Sequence, residues 1–294
     1  MTSSTHEYLR HFKTNDGVKL GYRLVSQQQS KPLLTLIHGL ASNSTRFSEF
    51  VETTDLKKSW DILSIDLRGH GESMVRSSYT RAMWLNDILN IMTAERYQQS
   101  IFMGHSLGAQ VAIDFAYNNP DKSRGLILID PVFPENLQGR LAKAKQWRFL
   151  LTIIRVFLRA LNFIGLKRWH LPIRSLQKLD EKTRETLAKN SELKIADLYT
   201  NPFADFKYIP LANYLQDINE VVKALPPLEE ITIPVLVLLS GGATVSSFDD
   251  TKKMINRFPN ASIEVIDADH WLLTEKPEET RNTIEKWCAD TFQS

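Results

Sequence analysis

Short apolar runs recur along this chain, and segments with helical spacing separate most of them. Each run is a few residues long, is rich in Ile, Leu and Val, and is bounded by turn residues, which is typical of strands covered on both faces. The runs are residues 33–37, 62–65, 101–103, 126–129, 235–239 and 263–266. The helical segments are residues 44–57, 81–97, 107–118, 249–258 and 277–291. This alternation predicts a mostly parallel sheet with helices on both sides.

Two regions depart from that alternation. Residues 8–14 and 18–25 flank an Asn-Asp-Gly turn, and this pattern predicts an antiparallel hairpin. A long stretch between the fourth and fifth apolar runs is helical or irregular, which predicts a helical insertion over the sheet. The expected domains are a core of residues 1–133 and 226–294 and a cap of residues 134–225.

The composition is that of an ordinary globular chain. Of the 294 residues, 43% are hydrophobic and 24% are charged, which excludes a disordered, collagen-like or coiled-coil protein. The single cysteine, Cys288, excludes an intrachain disulfide and a zinc site built on several cysteines, and it suits a reducing compartment. Residues 1–12 lack the apolar run of a secretory signal peptide. We therefore expect a cytoplasmic location.

The motif Gly104-His105-Ser106-Leu107-Gly108 stands between an apolar run and a helical segment. A sharp strand-to-helix turn requires small residues two positions before and after the serine, and it lifts the hydroxyl off the end of the sheet. The N–H of Leu107 would lie at a helix N-terminus, where it can stabilise a negative oxygen. The motif in this context predicts a nucleophilic serine.

A second motif, His38-Gly39-Leu40, ends the run 33–37. With it the chain resembles the α/β-hydrolase family, in which the residue after His-Gly supplies another oxyanion N–H. The resemblance places Leu40 in that role and implies an eight-stranded, mostly parallel sheet with a helical cap. The loop at residues 66–73 resembles the family's D-x-R-G-x-G-x-S loop, which we interpret as structural, with glycines in unusual conformations and locally paired charges.

The resemblance also identifies His270, in the loop after the run 263–266, as the catalytic base. The acid that orients this histidine commonly follows the seventh strand, but Thr244 occupies that position. Asp130 is the preferred replacement, because haloalkane dehalogenases and some small esterases of this fold carry the acid there. Asp249 or Asp250, or a weakened or absent acid, are the alternatives. If Asp130 is the acid, Thr244 is expected to hydrogen-bond to the Asp–His pair as a fourth member.

A serine at the elbow limits the chemistry, because the dehalogenases and epoxide hydrolases of this fold use aspartate there. Ser106 with an oxyanion hole suits acyl transfer, so we expect hydrolysis of an ester or thioester with an apolar acyl group. Lactone, amide or carbon–carbon bond hydrolysis are alternatives, and Thr244 leaves open a non-catalytic binding protein. No phosphate loop, metal-ligand cluster or nucleic-acid module is recognisable, so no cofactor, metal or nucleic acid is predicted.

The predicted cap contains a strongly basic segment. Residues 139–178 carry ten Lys and Arg and no acidic residue, so the rest of this chain of net charge +2 carries −8. Within it, five polar residues at helical spacing form one stripe in an otherwise apolar helix: Arg148, Thr152, Arg155, Arg159 and Asn162. Two interpretations stay open, a cap helix that packs on the core and lines an apolar acyl pocket, or one that also contacts a membrane surface or an anionic substrate such as acyl-CoA. The oligomeric state is not predicted.

Overall fold

A computed structural model describes residues 7–26, 31–190, 192–199, 202–242 and 248–292. Within these ranges one eight-stranded sheet has the order β1-β2-β4-β3-β5-β6-β7-β8. The strands are β1 (Tyr8–Lys13), β2 (Lys19–Val25), β3 (Leu33–Ile37), β4 (Asp61–Ile65), β5 (Ser100–His105), β6 (Ser123–Ile129), β7 (Val235–Ser240) and β8 (Ala261–Ile266). Among the described strands, β2 pairs antiparallel with β1 and with β4, and the other pairs are parallel, so the predicted hairpin and mostly parallel sheet are confirmed.

Helices follow most strands. They are α1 (Ser48–Thr53), α2 (Arg81–Ala94), α3 (Leu107–Asn118), α4 (Gly139–Gln146), α5 (Arg148–Phe163), α6 (Leu176–Lys189), α7 (Ile195–Tyr199), α8 (Pro202–Asp205), α9 (Leu211–Val221), α10 (Phe248–Ile255), α11 (Leu272–Glu275) and α12 (Pro277–Phe292). The prediction of one helix over residues 44–57 is wrong, because short 3₁₀ turns flank α1. Asn43 caps the first of these turns, and Thr54 explains the break after α1, since its side chain caps the N–H of Leu56 and starts a new turn.

Side chains that alternate across the strands build a core on each side of the sheet. On β5, Phe102 packs on the same side as Trp84 and Phe115 of α2 and α3. Met103 packs on the other side, with Ile284 of α12. Because β3, β4 and β5 are buried along their whole lengths, the ends of these strands are held rigidly for the site that they carry.

The helices α4 to α9 lie between β6 and β7, where the sequence predicts the cap. Helix α9 joins these helices to the core through buried polar groups. Asn213 donates to the carbonyl of Gly69 at 3.0 Å, and Asp217 accepts from the hydroxyl of Tyr79 at 2.8 Å. The ring of His70 lies 3.0 Å from the same carboxylate, Nε2 to Oδ2. The exact limits of the cap, residues 134–225, stay a prediction.

Helix α5 has the orientation opposite to the one expected for a helix lining an apolar pocket. Most of its polar stripe faces inward, where Arg155 hydrogen-bonds to Gln216 and Asn219 reaches Thr152 at 3.4 Å, whereas Arg148 at the start of the stripe is exposed. Its apolar side chains face outward and are largely exposed. Because α9 beneath it presents polar side chains, the polar face of α5 finds its partners there. In the described ranges, no helix combines the length and the apolar content that a membrane crossing requires.

Candidate active site

Ser106 lies in the sharp turn between β5 and α3. Its φ of 55° is in the left-handed region, and its N–H donates to the carbonyl of Ile129 at 3.0 Å. The flanking glycines are required by space: a Cβ at Gly104 would lie 2.2 Å from the carbonyl oxygen of Gly108, and one at Gly108 would lie 2.0 Å from that of Ile37. The turn therefore has the geometry that the sequence motif predicts.

His270 hydrogen-bonds to Asp130, the residue that follows β6. The distance from Nδ1 to Oδ2 is 2.5 Å, and the aspartate side chain is almost fully buried. The other carboxylate oxygen accepts from the N–H and the hydroxyl of Ser240, both at 3.0 Å. Asp130 has a φ of 42°, so its own backbone is also in the left-handed region. Three donors thus fix the carboxylate against the histidine ring.

The hydrogen bonds set the charge and the proton positions of this pair. Burial acts to raise the pKa of Asp130, but the hydrogen bond and charge of His270, with the donors of Ser240, outweigh it and hold the pKa below its ordinary value. An ionised carboxylate only accepts, so Nδ1 of His270 carries the donated proton. The Nε2 atom of His270 is then the nitrogen that can take a proton from another group.

The loop that carries His270 is held from several directions. The N–H of Asp269 donates to the carboxylate of Glu275 at 3.1 Å, and Nε2 of His105 donates to the carbonyl of His270 at 2.9 Å. The N–H of Gly242 donates to the carbonyl of Ala268 at 3.0 Å, which ties the loop to the end of β7. Burial, together with the positive charge of a protonated His270, lowers the pKa of His105 to about 3. His105 is therefore a neutral support for the loop.

The loop after β3 carries Leu40, which lines the same pocket as Ser106. His38 holds this loop in place, because its Nδ1 donates to the carbonyl of Gly39 at 2.8 Å and its Nε2 accepts from the N–H of Leu67 at 3.0 Å. Burial lowers the pKa of His38 well below its ordinary value, so the ring is neutral. Leu107 is the first residue of α3. Of the two residues expected to supply oxyanion N–H groups, Leu107 therefore directly follows Ser106, and Leu40 shares its pocket.

A pocket of about 250 Å³ contains both Ser106 and His270. Apolar and aromatic side chains form much of its wall, and polar groups are placed among them. The lining includes Leu40, Ala41, Arg46, Val132, Arg140, Leu141, Tyr199, Asp205, Tyr214, Val221 and Trp271. No residue of α5 is among the lining residues, whereas α4 and α9 both contribute. The expectation that α5 lines the acyl pocket is therefore wrong.

The other acid candidates lie elsewhere. Asp249 and Asp250 belong to the first turn of α10, and Asp250 pairs with Lys253 at 2.9 Å. Neither lines the pocket that contains His270. Thr244, expected as a fourth member beside the Asp–His pair, lies outside the described residues.

The loop at residues 66–73 has the structural character that the sequence predicts. Asp66 accepts the N–H groups of Ser44 at 2.5 Å and Glu72 at 2.8 Å. Arg68 forms a two-point pair with buried Asp87 at 2.7 and 2.8 Å. The two glycines of this loop both have positive φ. Its charges therefore pair locally, away from Ser106.

Sequence reasoning missed two residues that support the Asp130–His270 pair. Ser240 bonds to the carboxylate of Asp130, and His105 bonds to the carbonyl of His270. A signal for Ser240 was present, because β6 and β7 are neighbouring parallel strands and their ends meet at the same edge of the sheet. In the described ranges, no group of three or more His, Cys, Asp or Glu side chains is arranged to hold a metal ion.

Comparison with known proteins agrees with this architecture. The sn-1-specific diacylglycerol lipase ABHD11 of Mus musculus is 21% identical over 275 residues, which is 92% of this chain and 85% of that protein. The enol-lactonase from Burkholderia xenovorans LB400 superimposes with a TM-score of 0.70 at 19% identity, over 95% of this chain and 100% of that one. A thermophilic esterase from Thermogutta terrifontis has a TM-score of 0.66 at 19% identity, over 97% and 99% of the two chains. These structures establish the shared fold.

The model of a hydrolase family described as serine aminopeptidase, S33, matches residues 28–277. This range contains the elbow serine, the loop after β3 and the Asp130–His270 pair. It covers most of the chain, from before β3 to the start of α12. The chain belongs to the serine aminopeptidase S33 family of α/β-hydrolases.

Proposed function

We propose that this protein is a serine hydrolase that cleaves a carboxylic ester or thioester with an apolar acyl group. One observation carries the proposal: Ser106 and His270 share a pocket, and Nδ1 of His270 is bonded to a buried, ionised Asp130. The alternative of a non-catalytic binding protein rested on Thr244 in the usual acid position. That reason no longer supports the alternative, since the carboxylate of Asp130 is hydrogen-bonded to His270.

The proposed reaction begins with attack by the Ser106 hydroxyl oxygen on the carbonyl carbon of the ester. Nε2 of His270 takes the hydroxyl proton, and Asp130 stabilises the resulting imidazolium without taking a proton itself. Collapse of the tetrahedral intermediate breaks the bond to the leaving group, and His270 returns the proton to the departing oxygen or sulfur. An acyl-enzyme on Ser106 remains.

Water then completes the cycle. His270 removes a proton from water as its oxygen attacks the acyl carbon, and the proton returns to Ser106 when the acid product leaves. The N–H groups of Leu40 and Leu107 are assigned to the negative oxygen in both steps, where each such donor is worth roughly 10²–10³ in rate. These positions suit the role, because Leu40 lines the pocket and Leu107 begins α3.

The pocket wall favours an apolar acyl group, because Leu40, Val132, Leu141 and Val221 all line it. The names of the similar proteins support the bond class, since one is a diacylglycerol lipase and another an esterase. We infer from the modest volume, about 250 Å³, that short and medium acyl chains fit best.

The test is hydrolysis of p-nitrophenyl esters of increasing chain length by the wild type and by Ser106→Ala. Removal of the nucleophile should lower kcat/KM by roughly 10⁴-fold or more. Ser262→Ala on β8 is the matched control, because Ser262 lies outside the pocket, and it should retain wild-type rates. A fluorophosphonate probe should label the wild type at Ser106, as mass spectrometry would show. Equal turnover by the wild type and Ser106→Ala would contradict the proposal.

A further inference from the structure

We propose that the exposed apolar face of the cap docks this protein onto the surface of an anionic lipid bilayer. This face consists of side chains on α5 and the segments beside it: Trp147, Phe149, Leu150, Ile153, Ile154, Val156, Phe157, Phe163, Ile164, Leu166 and Trp169. Phe149 is 79% exposed and Phe163 is 92% exposed. A concentration of exposed apolar side chains of this kind marks an interaction site.

The outward orientation of this face is fixed by what lies beneath α5. Arg155 hydrogen-bonds to Gln216, and Arg159 donates to the carbonyl of Arg76. The Cζ atom of Arg159 also lies 5.7 Å from the ring centre of Tyr79. Rolling the helix over would bury its apolar side chains against these polar groups and leave the arginines without those partners. The apolar face therefore cannot be covered by the cap itself.

Basic side chains flank the exposed apolar face at both ends. Lys143 and Arg148 are exposed at its N-terminal end, and Arg168 is exposed at its C-terminal end. Lys167 lies 4.3 Å from the ring centre of Trp169. Residues 139–178 contain no acidic side chain. The surroundings of the face are therefore positive, which is complementary to anionic headgroups.

The charge also argues against a second copy of this chain as the partner. Face-to-face pairing would bring two acid-free basic segments together, and like charges across an interface oppose association. A bilayer surface fits better, because tryptophans lie at both ends of the face, Trp147 and Trp169, and such side chains favour the headgroup region. The 16 residues of α5 span about 24 Å and would lie along the membrane plane.

Docking would also place the pocket near its interface. Helices α4 and α9 contact α5, and Arg140, Leu141, Tyr214 and Val221 of these two helices line the pocket. This link to lipid substrates rests on the proposed function. The docking itself does not, so we test it on Ser106→Ala protein, in which the esterase activity is removed.

The experiment is flotation with vesicles of phosphatidylcholine alone and of phosphatidylcholine with about 30 mol% phosphatidylglycerol. Val156→Glu is compared with Val265→Glu, in which an equally exposed valine on β8 is replaced: Val156 is 57% exposed and Val265 is 51% exposed. Phe149→Glu is a second variant of the face. Circular dichroism and the melting temperature check that each variant is folded.

We expect binding to the anionic vesicles that weakens as salt is raised. Val156→Glu and Phe149→Glu should lower the vesicle partition coefficient at least about tenfold, and Val265→Glu should leave it within about twofold. Equal binding by Val156→Glu and Val265→Glu would overturn the proposal. So would absence of vesicle binding together with a dimer, seen by light scattering, that Val156→Glu dissociates, because a second copy would then cover the face. Failure of either kind leaves the esterase test unaffected, since that test depends on Ser106 alone.

Discussion

Helices α3 and α5 are both rich in apolar side chains, but they use them in opposite ways. In α3, residues on nearly every side are buried, and the ring centre of Phe115 lies 4.4 Å from that of Phe102 on β5. In α5, no residue is fully buried, and Phe149 and Phe157 face solvent. The composition of a helix therefore determines how much apolar surface it has, and the elements packed against it determine which part of that surface is buried.

Each helix also places polar side chains against a neighbour. In α3, the buried amide of Gln110 donates to the carbonyl of Val132 at 2.7 Å and to that of Val221 at 3.1 Å. In α5, Thr152, Arg155 and Arg159 of the stripe are used in this way, and Arg155 is paired with Gln216. The stripe forms the contact of α5 with the rest of the protein, while the apolar side chains of α5 stay largely exposed.

The largest expected effect concerns Asp130, the proposed acid partner of the serine that precedes α3. Asp130→Asn should lower kcat/KM by about 10³–10⁴-fold, because the amide cannot stabilise the imidazolium or hold its tautomer. Asp250→Asn is the matched control and should stay within about twofold, because Asp250 lies on α10 and pairs with Lys253. A large loss in Asp250→Asn with a small one in Asp130→Asn would reverse the assignment. Steady-state kinetics on a p-nitrophenyl ester measures both.

A matched pair of isoleucines tests the burial difference directly. Ile113→Ala in α3 removes a side chain with 0% exposure and should lower the free energy of unfolding by about 2–5 kcal/mol. Ile153→Ala in α5 removes one that is 49% exposed and should change it by no more than about 0.5 kcal/mol. Urea unfolding followed by circular dichroism gives both values. Equal losses would mean that α5 is covered in solution.

The polar stripe of α5 should be the part that holds the helix in place. Arg155→Met removes the hydrogen bond to Gln216 and should lower the local stability of α5 by about 1–3 kcal/mol. Arg148→Met changes an exposed residue of the same stripe and should have little effect. Hydrogen exchange of the α5 amides separates the two. If Arg148→Met raised the exchange rates of the α5 amides as much as Arg155→Met, the inward contacts would not be what fixes the orientation of α5.

Near neutral pH the smallest of these effects is that of protonating His105, the buried histidine before the elbow serine. The pKa of His105 is about 3 in the folded chain and about 6.5 when unfolded, so between these values only the unfolded chain binds the proton. His105 therefore contributes stability above pH 6.5 that is lost as the pH falls toward 3. His105→Gln should reduce this acid-side slope by up to about 1.4 kcal/mol per pH unit. Urea unfolding at several pH values checks this, and an unchanged slope would contradict it.

The sequence predicted the sheet well, because buried parallel strands leave short continuous apolar runs that turn residues bound on both sides. It also predicted the elbow at Ser106, since a strand, a small-residue turn and a helix each leave a local signal. The break of the helix within residues 44–57 was missed because the cap at Thr54 starts a new turn inside a segment with helical spacing. The catalytic roles of Ser106, His270 and Asp130 stay predictions until the variants are measured.

The orientation of α5 could not be predicted from its own residues. The spacing identified one polar stripe, but the direction of that stripe depends on α9, more than fifty residues further along the chain. The contribution of Ser240 was missed for a similar reason, because it depends on the register between β6 and β7. Local patterns show which residues share a face, and only tertiary packing shows what that face meets.

The left-handed backbone at Ser106 and Asp130 has a consequence for evolution and for engineering. Neither residue favours a φ of 55° or 42°, and such conformations each cost about 1–3 kcal/mol. Glycine would adopt both without that cost. As far as backbone strain decides, a selection for heat resistance alone would favour glycine at both positions, and it would remove the serine and the carboxylate that the proposed activity requires.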